Sequence, residues 1–268
     1  MKKLLGIVVL GLLWCNVGVA QKIIIIPVHV HILDLSEVGK NITITESEIR
    51  NDFKEVNRIW SQANIFFEIK TINNIKANVK DYDKDRKWVS KYYVKYITKG
   101  TKKEKLKASD KMIAHMTKLS RSENFKLHTD KLNVYYLEEI LPVIKDGGLS
   151  FEMEGYNIRP NSEFMDNTKW DKRYFTGVVK NTFRSGITFV QITSFMNGSY
   201  NRAHRLAHEL GHQFLLSHQG KKLGKDVMAW KCDYYEDTKM NLCGDKLSSS
   251  EISKSRDNYN RYYKQSLN

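Results

Sequence analysis

Two histidines four residues apart, His208 and His212, with Glu209 directly after the first, constrain this chain more than any other feature. Residues at i and i+4 lie one turn apart on one face of an α-helix. On a strand the same spacing would separate them by about 13 Å. Only a helix lets both imidazoles reach one metal ion, so the fold must supply a helix here and a core beneath it. Ala203, Ala207, Leu210 and Phe214 form an apolar stripe at helical spacing, and the helix is expected over about 200–216. Neutral imidazole suits Zn²⁺, and His218, six residues beyond His212, offers a third nitrogen. Three protein ligands and one open position mark a catalytic site, with one zinc ion expected. Glu209 is placed to act as general base on a water at that ion. His204 lies one turn before His208, but three consecutive turns of a straight helix cannot converge on one ion. His204 is therefore expected outside the ligand set. His29, His31, His115 and His128 are read as ordinary polar residues.

The first twenty residues read as an export leader. Lys2 and Lys3 precede an apolar run over 4–14, and Gly18-Val19-Ala20 places small residues before Gln21. The run is too short for a comfortable membrane span. A lipid-modified Cys15 is the weaker reading, because bulky Trp14 precedes it. The chain is expected to be secreted or periplasmic, with no transmembrane segment after leader removal. Cys232 and Cys243 then form an even pair in an exported chain, which favours a disulfide.

The net charge of +14 is concentrated. Residues 76–131 carry seventeen Lys or Arg against seven Asp or Glu. The plain reading is a solvated, partly helical insertion. The sharper one is a patch for an anionic partner. Trp88, Tyr92 and Tyr96 recur there at helical spacing, the pattern of one face packed on a core.

The chain opens with a β-rich segment over 22–33. Thr45 and Glu48 have capping-box spacing and start a helix with Ile49, Phe53, Val56, Trp60 and Ala63 on one face. A second strand over 65–72 would make a parallel pair by crossover. Helices are expected near 84–98 and 103–119, and strands over 131–138, 151–158 and 186–194. A polar closing helix is expected over 248–265, capped by Ser248 or Ser249.

The stretch from His208 to His218 resembles the extended zinc motif of the metzincin endopeptidases. Asp226-Val227-Met228-Ala229-Trp230 is similar to that family's Met-turn. The resemblance implies His208, His212 and His218 as zinc ligands, Glu209 as general base and Met228 as a structural residue beneath the metal. It implies an α+β fold with a twisted, mostly parallel sheet and long helices in an N-terminal subdomain over 21–214. A small irregular C-terminal subdomain over 215–268 would end in a helix, the two forming one catalytic domain. The function implied is zinc-dependent hydrolysis of peptide bonds in a protein or peptide substrate. Two positions depart from the pattern. Leu215 stands where the family has Gly, at a turn that can require positive φ. Trp230 stands where some members have Tyr; its indole cannot ligate zinc, and it is expected to line the substrate pocket. Two other readings compete: a gluzincin-like peptidase with Glu236 as third ligand, and a secreted basic binding protein with an inert zinc site.

Overall fold

In a computed structural model, the described residues are 22–39, 44–80, 82–119, 132–138, 144–146, 149–151, 155–158, 187–191, 199–217, 226–228, 233–235, 240–242 and 244–260. His128, His218, Trp230, Cys232, Glu236, Cys243 and the leader lie outside them.

Strand β1 (Ile24–Asp34) is followed by helix α1 (Glu46–Trp60) and strand β2 (Ile65–Lys76). The basic stretch then forms two helices, α2 (Tyr82–Lys99) and α3 (Lys102–Leu119). Strands β3 (Leu132–Leu137), β4 (Ile144–Asp146), β5 (Leu149–Phe151), β6 (Gly155–Ile158) and β7 (Ile187–Gln191) lead to helix α4 (Ser199–Gln213). A short hairpin, β8 (Asp233–Tyr235) and β9 (Met240–Leu242), precedes helix α5 (Ser249–Asn258). The main sheet has the order β2-β1-β3-β7-β6. Its first four strands run parallel, and β6 pairs antiparallel with β7. The fold is α+β with a mostly parallel sheet. Among the described residues, no helix is long and apolar enough to cross a membrane.

Local chemistry explains where the helices start. Thr45 accepts from the Glu48 backbone N–H at 3.2 Å, while Glu48 accepts from the Thr45 N–H at 2.8 Å. The same reciprocal box opens α5, with Ser248 and Glu251. Both satisfy N–H groups that a first helical turn leaves without partners.

The centre of the sheet, β1 from Val28 to Leu33 together with β3, is buried on both faces, as parallel strands usually are. One face of β1 (Ile24, Ile26, Val28, Val30, Ile32) joins Leu132, Val134 and Tyr136 of β3 in the main core. Helix α1 contributes Ile49, Phe53, Val56, Ile59 and Trp60, and α4 contributes Leu206, Ala207 and Leu210, with Phe214 just beyond it. On the opposite face of β1 and β3, His29, His31, Asn133 and Tyr135 are buried. His29 Nδ1 is 2.7 Å from Thr71 Oγ1, and His31 Nε2 is 3.0 Å from Asn133 Oδ1. These histidines are thus partnered interior groups, which single-strand alternation cannot show. Among the described side chains of the basic helices, Tyr82, Ala108, Met112, His115 and Met116 are buried. Trp88 and Tyr92, expected on a packed face, are only half-buried.

Charged residues on the facing stripes join α1 to α4. Arg202 donates from Nε and Nη2 to the two Asp52 oxygens at 2.6 and 3.1 Å, and the Tyr136 hydroxyl donates to Asp52 at 3.2 Å. Both members of the ion pair are buried. Burial lifts the Asp52 carboxyl above its ordinary range, against the opposing pull of Arg202 and Tyr136. Further along, Glu55 accepts from His204 Nε2 at 3.1 Å, and the Trp60 indole N–H donates to the Ala207 carbonyl at 3.2 Å. The partners advance together along both helices, so α1 and α4 run in the same direction. Removing one partner of a buried pair leaves an uncompensated charge. Arg202→Ala is expected to cost about 3–5 kcal/mol in urea unfolding. Asp52→Leu combined with Arg202→Met should cost much less than that.

Candidate metal centre

Helix α4 carries His208, Glu209 and His212 on its side away from the main core, all three half-buried. The two imidazole rings stand edge to face, with centroids 4.9 Å apart. Each ring is oriented through Nδ1. His208 Nδ1 lies 2.7 Å from the Val227 carbonyl oxygen, and His212 Nδ1 lies 2.8 Å from that of Leu216. A carbonyl oxygen only accepts, so each Nδ1 carries the proton and donates. The electron pair of both rings is then on Nε2, the state a metal ligand needs. Burial also lowers the His208 pKa below its ordinary value, against the pull of the Val227 carbonyl and the Glu251 carboxylate. A lowered pKa keeps the ring neutral, as ligation requires.

The two carbonyls are themselves held in place. Helix α4 ends in a Schellman turn: Leu216 N–H donates to the Gly211 carbonyl at 3.1 Å and Leu215 N–H to that of His212 at 3.0 Å. Leu215 occupies the left-handed position of this turn, with φ of 60°. This is the conformation for which Gly is usually chosen, and it costs a non-Gly residue about 1–2 kcal/mol. The helix therefore does stop before His218, and it stops without glycine. Asn258 of α5 donates to the Phe214 carbonyl at 2.7 Å, satisfying another acceptor at the helix end. The turn that frees the chain from the helix is the one whose Leu216 carbonyl aims His212.

The second carbonyl belongs to the segment 226–228. Asp226 forms a bridge with Lys246, and Val227 N–H donates to the Lys246 carbonyl at 2.9 Å. The 245–247 segment is fixed in turn by the end of α1. Arg58 pairs with Asp245 at 2.9 Å, and Gln62 bonds the Asp245 carbonyl and the Leu247 N–H at 2.7 and 3.2 Å. Met228, next to Val227, is fully buried. Its thioether occupies the space that a Cβ on Gly211 would need. Gly211 thus matches the close approach of the Met228 thioether, since no positive φ sets it apart. Gln213 donates to Thr188 of β7 at 3.1 Å, tying the other side of the helix to the sheet.

Of the site residues expected from the sequence, His208, Glu209 and His212 share one helix and Met228 packs against that helix. His218, Glu236 and Trp230 lie outside the described residues. His204 is buried against Glu55 instead of facing the other two rings. Among the described residues, no group of three or more His, Cys, Asp or Glu is arranged to hold a metal ion. Sequence reasoning missed Val227 and Leu216, which act through main-chain oxygens and have no side-chain signal. It also missed Asp52 and Arg202, although a charge of each sign beside an apolar stripe was a readable sign of a buried pair.

No family model and no curated protein matches the sequence. Among solved structures, a chaperone–substrate complex is similar at 14% identity and a TM-score of 0.41, covering 91% of this chain and 35% of that one. Archaemetzincin from Methanopyrus kandleri is similar at 11% identity and a TM-score of 0.42, covering 88% of this chain and 96% of that one. Metalloproteinase-II from Bacteroides fragilis is similar at 12% identity and a TM-score of 0.39, covering 89% of this chain and 55% of that one. This chain therefore spans about a third of the first structure and just over half of the third. Likenesses this weak carry no chemical conclusion, which rests on the geometry of the two histidines.

The fit between Gly211 and Met228 can be tested directly. Gly211→Ala is expected to destabilise the protein by about 1–3 kcal/mol through overpacking. Adding Met228→Ala opens room for the new Cβ. The double variant should therefore be less destabilised than the two single costs added together, as measured by a double-mutant unfolding cycle.

Proposed function

We propose that this chain is an exported zinc-dependent endopeptidase of metzincin type. One observation carries the reading: His208 and His212 both turn Nδ1 to a fixed backbone carbonyl, the tautomer in which Nε2 bears the electron pair that a metal takes. Two surface histidines with no common task would not need matched tautomers. In this reading His218 is the third ligand, and the left-handed turn at Leu215 supports it by ending the helix first. Glu209 follows His208 on the same helix, so it travels with the ligand set.

A zinc ion held by these imidazoles would supply the positive charge that acidifies a water molecule and polarises the substrate carbonyl. Glu209 would take the proton from the attacking water and deliver it to the departing amine nitrogen. It acts first as base and then as acid, which leaves its own charge unchanged over the cycle. The α4 core contacts and the Asp52–Arg202 pair position the helix that carries His208, Glu209 and His212. An extended peptide is a suitable substrate shape, because β6 borders the sheet beside α4 and an edge strand can align a further extended chain.

Purified protein should retain zinc, cleave casein and stop when a chelator is added. Glu209→Ala should keep its zinc and lose about 10²–10⁴-fold in rate. His208→Ala and His212→Ala should lose the metal. If Glu236→Ala lost zinc while His218→Ala kept it, the ligand set would be wrong. Zinc-replete protein that cleaves nothing in a broad peptide library would contradict the enzymatic reading.

The export reading also bears on the cysteines. Cys232 and Cys243 form an even pair, and in an oxidising compartment such a pair favours a disulfide. We infer that the two thiols are joined in the exported protein. Intact-mass measurement should give a mass about 2 Da lower before reduction than after, and two alkylatable thiols without reductant would contradict it.

A further inference from the structure

Among the described residues, the hairpin of α2 and α3 contributes none of the candidate metal-centre contacts, yet it holds most of the net charge. Residues 82–119 carry twelve Lys or Arg against four Asp or Glu. The charge lies in rows. Lys84, Lys87, Lys91 and Lys95 follow one another at i+3 or i+4 along α2, and Lys103, Lys107 and Lys111 do so along α3, all exposed. Lys118 pairs with Asp85 at 3.1 Å, and Lys111 Nζ stands 5.9 Å from the Trp88 ring centroid. These contacts set the helices side by side and bring the second row along the flank of the first. At about 1.5 Å per residue, eighteen residues extend roughly 27 Å.

The opposing charge is already engaged in part. Asp85 is taken by Lys118, and Glu104 accepts from the Thr101 N–H at 2.8 Å at the start of α3. Among the described residues, no carboxylate lies within ion-pair distance of Lys84, Lys87, Lys91, Lys103, Lys107 or Lys111. Parallel rows of like charge repel one another along their full length. That arrangement favours a long partner of opposite charge over scattered small ions.

Three features select among polyanions. Ala108, Met112 and Met116, described apolar side chains of the hairpin, are buried and so are not offered to a lipid bilayer. Trp88 and Tyr92 pack together at 5.2 Å and are approached by Lys111 and Lys91, at 5.9 and 5.2 Å from the ring centroids. A stacked base would have to displace these lysines. Finally, the rows consist of lysine, a point charge that reads charge density and not the planar geometry for which arginine is suited.

We propose that the two lysine rows form a docking surface for a sulfated polysaccharide, separate from the catalytic site. Heparin is the probe. The intact protein should bind it with an affinity that falls steeply as NaCl is raised. Lys84→Gln, Lys87→Gln, Lys91→Gln and Lys95→Gln together should weaken binding by at least about tenfold, with the circular dichroism spectrum unchanged. Lys103→Gln, Lys107→Gln and Lys111→Gln together provide an independent variant with the same expectation, should the first fail to fold. Trp88→Leu should leave heparin affinity within about twofold, since its ring face is not the contact. Heparin binding that is absent at low salt, or that survives both sets of substitutions, would overturn the proposal. So would tighter binding of a single-stranded oligonucleotide, or of phosphatidylserine vesicles, at equal ionic strength. None of these readouts depends on hydrolysis, so the surface can stand or fall apart from the peptidase reading.

Discussion

The position of the histidine-bearing helix depends on a bidentate ion pair sealed inside the protein. Asp52 and Arg202 meet between α1 and α4, with the Tyr136 hydroxyl from β3 completing the carboxylate's partners. Such a pair contributes little net stability compared with apolar packing, but it is intolerant of misalignment. Apolar stripes alone would let two helices slide by a turn. The ion pair, the Glu55–His204 contact and the Trp60–Ala207 hydrogen bond permit only one register. Helix α1 fixes more than its neighbour. Through Arg58 and Gln62 it holds the 245–247 segment, which holds Val227, whose carbonyl orients His208.

The candidate metal centre contains the fold's clearest conflict between local preference and global demand. A branched side chain sits in the left-handed conformation at Leu215, and the carbonyl of the next residue orients His212. Local propensity would choose glycine there. The strain is tolerated because the surroundings leave the chain few alternatives. Phe214 and Leu216 on either side are buried, and Asn258 claims the Phe214 carbonyl. Gly211 shows the reverse situation: a residue poor in helix propensity sits in the last turn of the helix, where Met228 occupies its side-chain space. Departures from local rules that cluster near one site are a usual mark of function.

Much of this is legible in the sequence where short-range chemistry decides. Two capping boxes, the apolar stripes of α1 and α4, and the helical character of the basic stretch follow from spacing. The demand for positive φ at residue 215 follows from the motif, in which glycine usually holds that position. What is not legible depends on distant chain segments meeting. The burial of His29 and His31 requires knowing that β2 and β3 flank β1. The partial burial of Trp88 and Tyr92 follows from α3 lying beside α2, where Lys118 meets Asp85 and Lys111 approaches Trp88. The tautomers of His208 and His212 depend on carbonyls that follow the helix or lie nineteen residues away, with no residue type to announce them.

The central claim is that His208 and His212 present Nε2 to a single zinc ion together with one further histidine. Zinc-edge X-ray absorption on the purified, zinc-loaded protein counts those ligands without reference to activity. The expected spectrum shows three imidazole groups with nitrogen at about 2.0–2.1 Å and no sulfur shell. A sulfur contribution at about 2.3 Å, or fewer than three imidazoles, would contradict it.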